Sequence, residues 1–527
     1  MKLLIMGLDG ATFQVIKPLC DEGKLPTLNS LIAGGTHGVL ESTFPPVTGP
    51  AWTALATGKN PGKTGIFDSL IRTGGQSFAT RLVSSRDIKR ARPYWDYLSD
   101  HGIRTGVVNY PFLYPPYKLN GVMVSGLGSD PGDEIFYPRE FRQQVLDKCG
   151  RYQIQVPWHS PRYAQDPPLF VNHLLELLEI NEKTLELLLQ SDLQALAFVI
   201  SASDFAQHYM WRYIDRSHPY YQESEAEKYR PLFIQVWQRI DEILGSVMQK
   251  LSPEANIVIV SDHGFGSRRS AFYTGSWLEK EGYVRKKAWR VRARRLEEIA
   301  AKLVGKISLR LYRKLVLISM KPGRMPVVSV SSGINSARSL AFPLDNASLI
   351  GEICINRQLA GGDFETVRGE IMAKLEQTCR ELGARVKVYS PSDLYSGGYL
   401  DLAPDILFDI EDGDCSIHFG FDRKFYQKPP SKPFHSGIHK KEGIFIAYGP
   451  DVRQGIQIEG TKIYDVAPTI LHLLGLPVPD DMDGRVLGEI FREGSEPAHR
   501  EIKYQKVDAA KEKVKDRVRK LREAGKL

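Results

Sequence analysis

The chain has 527 residues, 42% of them hydrophobic and 25% charged, with a formal net charge of +8; this balance suits a soluble globular enzyme and excludes a disordered or fibrous chain. No stretch approaches the ~20 apolar residues of a membrane span, and the length calls for one large α/β domain with insertions or for two to three domains. Five cysteines with neither paired spacing nor a CxxC argue against a disulfide framework or a thiolate zinc site, so a reducing, cytoplasmic setting is expected.

The first element, Leu3-Leu4-Ile5-Met6-Gly7-Leu8-Asp9-Gly10, starts like a signal peptide, but Asp9 interrupts it before a 7–15-residue apolar region can form. It reads as a buried strand ending on a carboxylate. Next, in Phe44-Pro45-Pro46-Val47-Thr48-Gly49-Pro50-Ala51-Trp52, prolines hold the entry extended and Pro50 is acceptable in a first helical turn, which places Thr48 just before a helix start. The following Gly58-Lys59-Asn60-Pro61-Gly62-Lys63-Thr64 looks like a nucleotide-binding P-loop, but it is one residue short between its glycines and follows a helix rather than a strand. Its lysines read as solvated loop residues.

A strand is expected over Gly106-Val107-Val108 and helical spacing runs from Leu169 to Leu189. Ala197-Phe198-Val199-Ile200 is a second apolar run, leading to Asp204 and His208. If the chain turns helical there, the i, i+4 spacing places both side chains on one face, where they can grip one cation. A helix over 231–251 leads to a third run, Ile257-Val258-Ile259-Val260, followed by Asp262 and His263. On an irregular turn these two neighbours point to opposite sides, which would let Asp262 approach two ions.

Lys and Arg concentrate between Arg285 and Arg324 and again from Lys503 to Lys526. The first cluster has an apolar stripe through Ile299, Leu303, Ile307 and Leu311, a pattern for an amphipathic helix packed on the body, with docking on an acidic membrane as the alternative. Neither cluster interleaves aromatics as a nucleic-acid platform does, so no specific nucleic-acid binding is expected. Strands over 353–356, 385–388 and 405–410 and a helix over 364–382 precede His435 and His439. A strand over 444–447 and a capped helix closing at Gly475 complete the pattern.

These elements predict an α/β fold: a doubly wound, mostly parallel sheet flanked by helices, with an inserted accessory subdomain and a basic helical segment. The expected divisions are a core over 1–284, a basic insertion over 285–330, an accessory subdomain over 331–400, the final part of the core over 401–490 and a basic tail over 491–527. Asp9, Asp204 and Asp262 would then line the carboxyl edge of one sheet, where ligands of such folds collect. Oxygen and imidazole donors without cysteine suit Zn²⁺, Mn²⁺ or Fe.

Through Gly7-Leu8-Asp9-Gly10, Asp204-Phe205-Ala206-Gln207-His208, Ser261-Asp262-His263-Gly264, Gly437-Ile438-His439 and Asp465-Val466-Ala467-Pro468-Thr469, the chain resembles the alkaline phosphatase superfamily, specifically its type I phosphodiesterase/nucleotide pyrophosphatase branch. The resemblance implies two divalent ions, Zn²⁺ first and Mn²⁺ as the alternative. Asp9, Thr48, Asp262 and His263 would hold one; Asp204, His208 and His439 would hold the other. It further implies a hydrolase of phosphodiester or pyrophosphate bonds working through a phosphothreonine on Thr48, with a small phosphoester substrate, nucleotide or lipid-linked. His435 is a weaker site candidate. Thr64-Gly65-Ile66-Phe67-Asp68 stands where such diesterases often have His-Gly, and the asparagine that contacts phosphate has no evident counterpart. The alternatives are a threonine-based phosphomonoesterase, phosphomutase or phosphonate hydrolase, and, from another class, a non-catalytic protein binding phosphate or acidic membrane.

Overall fold

Leu3–Leu8 (β1) is buried at every position, the pattern of a strand covered on both faces. In the computed structural model, which describes residues 1–72, 80–129, 134–157, 160, 162–287, 334–344, 350–431 and 435–507, it lies near the middle of a nine-stranded sheet. The other strands of that sheet are Thr36–Glu41 (β2), Thr105–Tyr110 (β3), Gly121–Ser125 (β4), Phe136–Tyr137 (β5), Ala195–Ile200 (β6) and Asn256–Val260 (β7). A separate two-stranded antiparallel pair, Gly264–Ser267 (β8) and Gly437–Lys440 (β9), stands outside it, and Glu442–Tyr448 (β10) and Ile456–Lys462 (β11) complete it. The order is β11-β2-β10-β7-β1-β6-β3-β4-β5. The run β7-β1-β6-β3-β4 is parallel, whereas β10 runs antiparallel to both its neighbours. Burial alone does not encode strand direction, so the sequence showed β10 as a strand without its sense.

Alternation along β1 splits the core into two layers. Leu4, Met6 and Leu8 pack with the helices Pro167–Leu189 and Glu223–Lys250, through Phe170, Leu174, Trp237 and Ile240. Leu3 and Ile5 face the other layer, which holds Ala51, Trp52 and Leu55 of the helix Thr48–Thr57 (α1). Gly7 permits that approach: a Cβ there would lie 2.4 Å from Trp52 Cη2.

The accessory subdomain is a four-stranded antiparallel sheet in the order Ala341–Pro343, Gly351–Ile355, Ile406–Ile410, Val386–Tyr389. Helix Phe364–Glu381 covers it through Ile371 and Leu375. Ile406–Ile410 was expected in the final part of the core; a fully buried five-residue run reads the same whichever sheet it joins, and its partners place it here. Residues 288–333 and 508–527, which carry most of the basic segment and tail, lie outside the described residues. All five cysteines are free. No described helix is long and apolar enough to cross a membrane.

Candidate metal and catalytic site

Parallel registry of β7, β1 and β6 puts their carboxyl ends side by side, and Asp9, the turn into Asp204, and Asp262 follow those ends directly. Backbone and side-chain bonds tie the three turns together. Asp9 N–H donates to the Ile200 carbonyl at 3.0 Å, Ser203 Oγ to the Asp9 carbonyl at 2.7 Å, Gln207 Nε2 to the Gly10 carbonyl at 2.8 Å and Ser261 Oγ to the Ala11 carbonyl at 2.8 Å. Ser203, Gln207 and Ser261 carry no local sequence signal for this work, because each acts on a turn about 200 or more residues away.

The chain does turn helical after β6, over Ala202–Met210. Asp204 Oδ1 lies 3.4 Å from His208 Nε2 and 3.3 Å from His439 Nε2, and the two imidazole nitrogens are 2.9 Å apart. His439 is delivered by β9, whose pairing sets it opposite Phe265 of β8. Its Nδ1 donates to the Pro46 carbonyl at 3.1 Å, which leaves Nε2 as the bare nitrogen.

Beside this group, His263 Nε2 lies 3.3 Å from Asp262 Oδ2 and 3.7 Å from Asp9 Oδ1. His263 Nδ1 donates to the Gly264 carbonyl at 3.2 Å, so here too Nε2 is bare. Ligand atoms of Asp9, Asp262 and His263 all fall within 4.8 Å of one another, as do those of Asp204, His263 and His439. His263 is common to the two groups. A hydrogen bond from Gly10 N–H to Asp262 Oδ1, 3.2 Å, holds that carboxylate toward Asp9.

Burial, with the Asp262 and Asp204 charges adding to it, holds the Asp9 carboxyl well above its ordinary range. Burial also pushes Asp262 up to about 7, with His439 and the Gly10 amide pulling the other way. His208 is held well below the usual imidazole value by burial and then by His439 and His435, and His263 by burial and His439.

Thr48 is itself the first residue of α1, with Val47 at the cap position, so the helix starts one residue earlier than the sequence suggested. Pro50 is accommodated because the first-turn amides need no intrahelical partner. Trp52, one turn on and on the same helical face, packs against Gly7. Val47 packs on Ile438, next to His439.

His435 also reaches the site: its ring centroid is 5.1 Å from that of His208 and 4.8 Å from that of Tyr209. Lys59 and Lys63 differ from the solvated loop residues expected. Lys59 is buried and pairs with Asp481 at 2.5 Å, and Lys63 pairs with Asp483 at 2.7 Å. Their partners lie some 420 residues away, beyond any local pattern.

The donor set fits divalent metal binding. Asp9 Oδ1, Asp204 Oδ1, Asp262 Oδ2 and His263 Nε2 are enclosed and take no hydrogen bond, an arrangement that is costly without a cation to face them. Carboxylate oxygen with imidazole nitrogen is the donor chemistry of Zn²⁺ and Mn²⁺.

Human ectonucleotide pyrophosphatase/phosphodiesterase 5 has a similar fold, with a TM-score of 0.51 at 14% identity over 94% of this chain and 100% of that one. The murine protein of the same name gives 0.50 at 14% over 93% and 100%. At that identity the likeness concerns the fold alone. No curated protein matches the chain by sequence. A family model described as type I phosphodiesterase/nucleotide pyrophosphatase matches residues 3–439. The chain belongs to that family, and it is a phosphodiesterase/nucleotide pyrophosphatase-like phosphoric ester hydrolase.

Proposed function

We propose that the chain hydrolyses phosphodiester or pyrophosphate bonds of a small substrate, a nucleotide foremost, with Thr48 as nucleophile. Asp9, Thr48, Asp262 and His263 would hold one divalent ion, and Asp204, His208 and His439 the other, Zn²⁺ first with Mn²⁺ as the alternative. Bound there, the ions supply Lewis-acid charge that lowers a hydroxyl pKa and offsets the phosphoryl oxygens. The observation that carries this reading is the convergence of Asp204, His208 and His439 within 3.4 Å beside the Asp9, Asp262 and His263 group.

Thr48 Oγ attacks phosphorus in line with the departing oxygen. The Oγ–P bond forms as the P–O bond to the leaving group breaks, and the hydroxyl proton passes to solvent. Water then attacks the same phosphorus and breaks the Oγ–P bond, restoring Thr48. The outward-pointing amides at the start of α1 favour the negative phosphoryl group. The protonation pattern of His263 and His439, each with Nδ1–H tied to a backbone carbonyl, keeps their Nε2 lone pairs directed into the site.

Acid-quenched mass spectrometry tests the reading. Mixing enzyme with a slow diester should add, to the peptide that contains Thr48, the mass of the phosphoryl group with the ester group it retains after the other leaves, and Thr48→Ala should show none. An adduct on another residue, or turnover by Thr48→Ala at the native rate, would contradict it.

A further inference from the structure

Outside the metal site, one largely buried arginine meets no carboxylate among the described residues. Arg268 directly follows β8. Along β8, Phe265 turns its ring toward His208, His263 and His439, whereas a Cβ on Gly266 would meet the Lys440 side chain. Continuing that alternation carries Arg268 to the Gly266 side, where its Nη2 donates to His418 Nε2.

The neighbouring cations are paired: Arg269 Nε lies 3.1 Å from Asp414, and Lys440 Nζ lies 2.5 Å from the same carboxylate. Arg268 meets no carboxylate among the described residues, and its enclosed Nε takes no hydrogen bond. An enclosed charge without a partner is strongly unfavourable, so the position makes physical sense once an anion is supplied.

His418 offers a second donor. Its Nε2 accepts from Arg268 and faces Ser416 Oγ at 3.0 Å, which puts the ring proton on Nδ1. Tyr273 holds the ring in place, stacked with centroids 4.9 Å apart. The two residues sit where β8 leads into a small sheet, in which Ser270–Tyr273 pairs with Cys415–His418 and Tyr426–Gln427.

We propose that Arg268 and His418 form an oxyanion subsite of the phosphate class, at the seam between the β8–β9 strand pair and this small sheet and separate from the metal-binding groups. A guanidinium fork matches phosphate oxygens in pairs, and the imidazole N–H adds a neutral donor.

The test is calorimetric titration of inorganic phosphate into the metal-loaded full chain. Wild type should take one phosphate per chain more than Arg268→Met, whatever the metal centre itself binds. Diester turnover by Arg268→Met should be unchanged, and in phosphate-free buffer the variant should melt at or above wild type, because an uncompensated charge has gone. Equal phosphate uptake by the two proteins would overturn the subsite. Arg268→Lys keeps the charge without the fork and should weaken the phosphate site about tenfold. If Arg268→Met does not fold, unchanged phosphate affinity in Arg268→Lys overturns the proposal instead.

Discussion

The imidazoles of His263 and His439 are stacked with centroids 3.5 Å apart and planes 19° from parallel. They arrive from different parts of the chain, one after β7 and the other on β9, and each has its Nδ1–H held by a backbone carbonyl. Two bare ring nitrogens are thereby fixed beside the carboxylates of Asp9 and Asp204.

Such a preformed set should couple metal binding to stability. Loading the chelated protein with Zn²⁺ or Mn²⁺ at about 100 times the dissociation constant should add about 2.7 kcal/mol per site, read as a higher melting temperature. Asp204→Asn should lose a large part of that gain. An identical melting temperature with and without metal would remove the basis for the two ligand groups.

Thr48 separates chemistry from folding. Thr48→Ala removes one hydroxyl at a helix start where Val47 holds the cap position, so the melting temperature should stay within a few degrees. Turnover should fall at least about 100-fold, the scale expected on losing a nucleophile. Thr48→Ser should retain measurable turnover, which steady-state kinetics on the three proteins would show.

Tyr395 connects the accessory subdomain to the segment that leads into α1. Its hydroxyl donates to the buried Phe44 carbonyl at 2.7 Å, and its ring packs edge-on against Phe67. Tyr395→Phe strands that carbonyl at a cost of about 1–3 kcal/mol. Urea unfolding should show a lower midpoint, and kcat should drop with KM little changed if the segment positions Thr48. A midpoint equal to wild type would show that the bond contributes nothing.

His218 contributes a pH dependence of known sign. Its Nε2 donates to the Ser436 carbonyl at 3.2 Å and its Nδ1 accepts from Tyr220 N–H at 3.0 Å. Burial lowers its pKa from 6.5 to about 4. The unfolded chain therefore binds more protons between these values, so this stability is present above about pH 6.5 and is lost as pH falls toward 4. Between pH 7 and pH 5 wild type should lose about 1–2 kcal/mol more than His218→Gln. Parallel melting curves for the two proteins across that range would refute the assignment.

Where local chemistry and spacing coincide, the sequence already announces the site. Asp9, Asp204 and Asp262 stand out because each follows an apolar strand, and His208 because one helical turn joins it to Asp204. Contacts between distant segments leave no such trace. The pairing of Lys59 with Asp481, the approach of His435 to His208, the role of His263 between two groups and the allegiance of Ile406–Ile410 to the accessory sheet all depend on residues far apart in the chain. The antiparallel sense of β10 is hidden for a related reason: a strand buried on both faces shows the same apolar run in either direction.

The most direct measurement compares hydrolysis of bis-p-nitrophenyl phosphate with that of p-nitrophenyl phosphate, after chelation and after reloading with Zn²⁺ or Mn²⁺, for wild type and Thr48→Ala. The proposed mechanism predicts diester turnover that vanishes on chelation, returns with metal and is lost in Thr48→Ala. Turnover that survives chelation, or persists in Thr48→Ala, would contradict it.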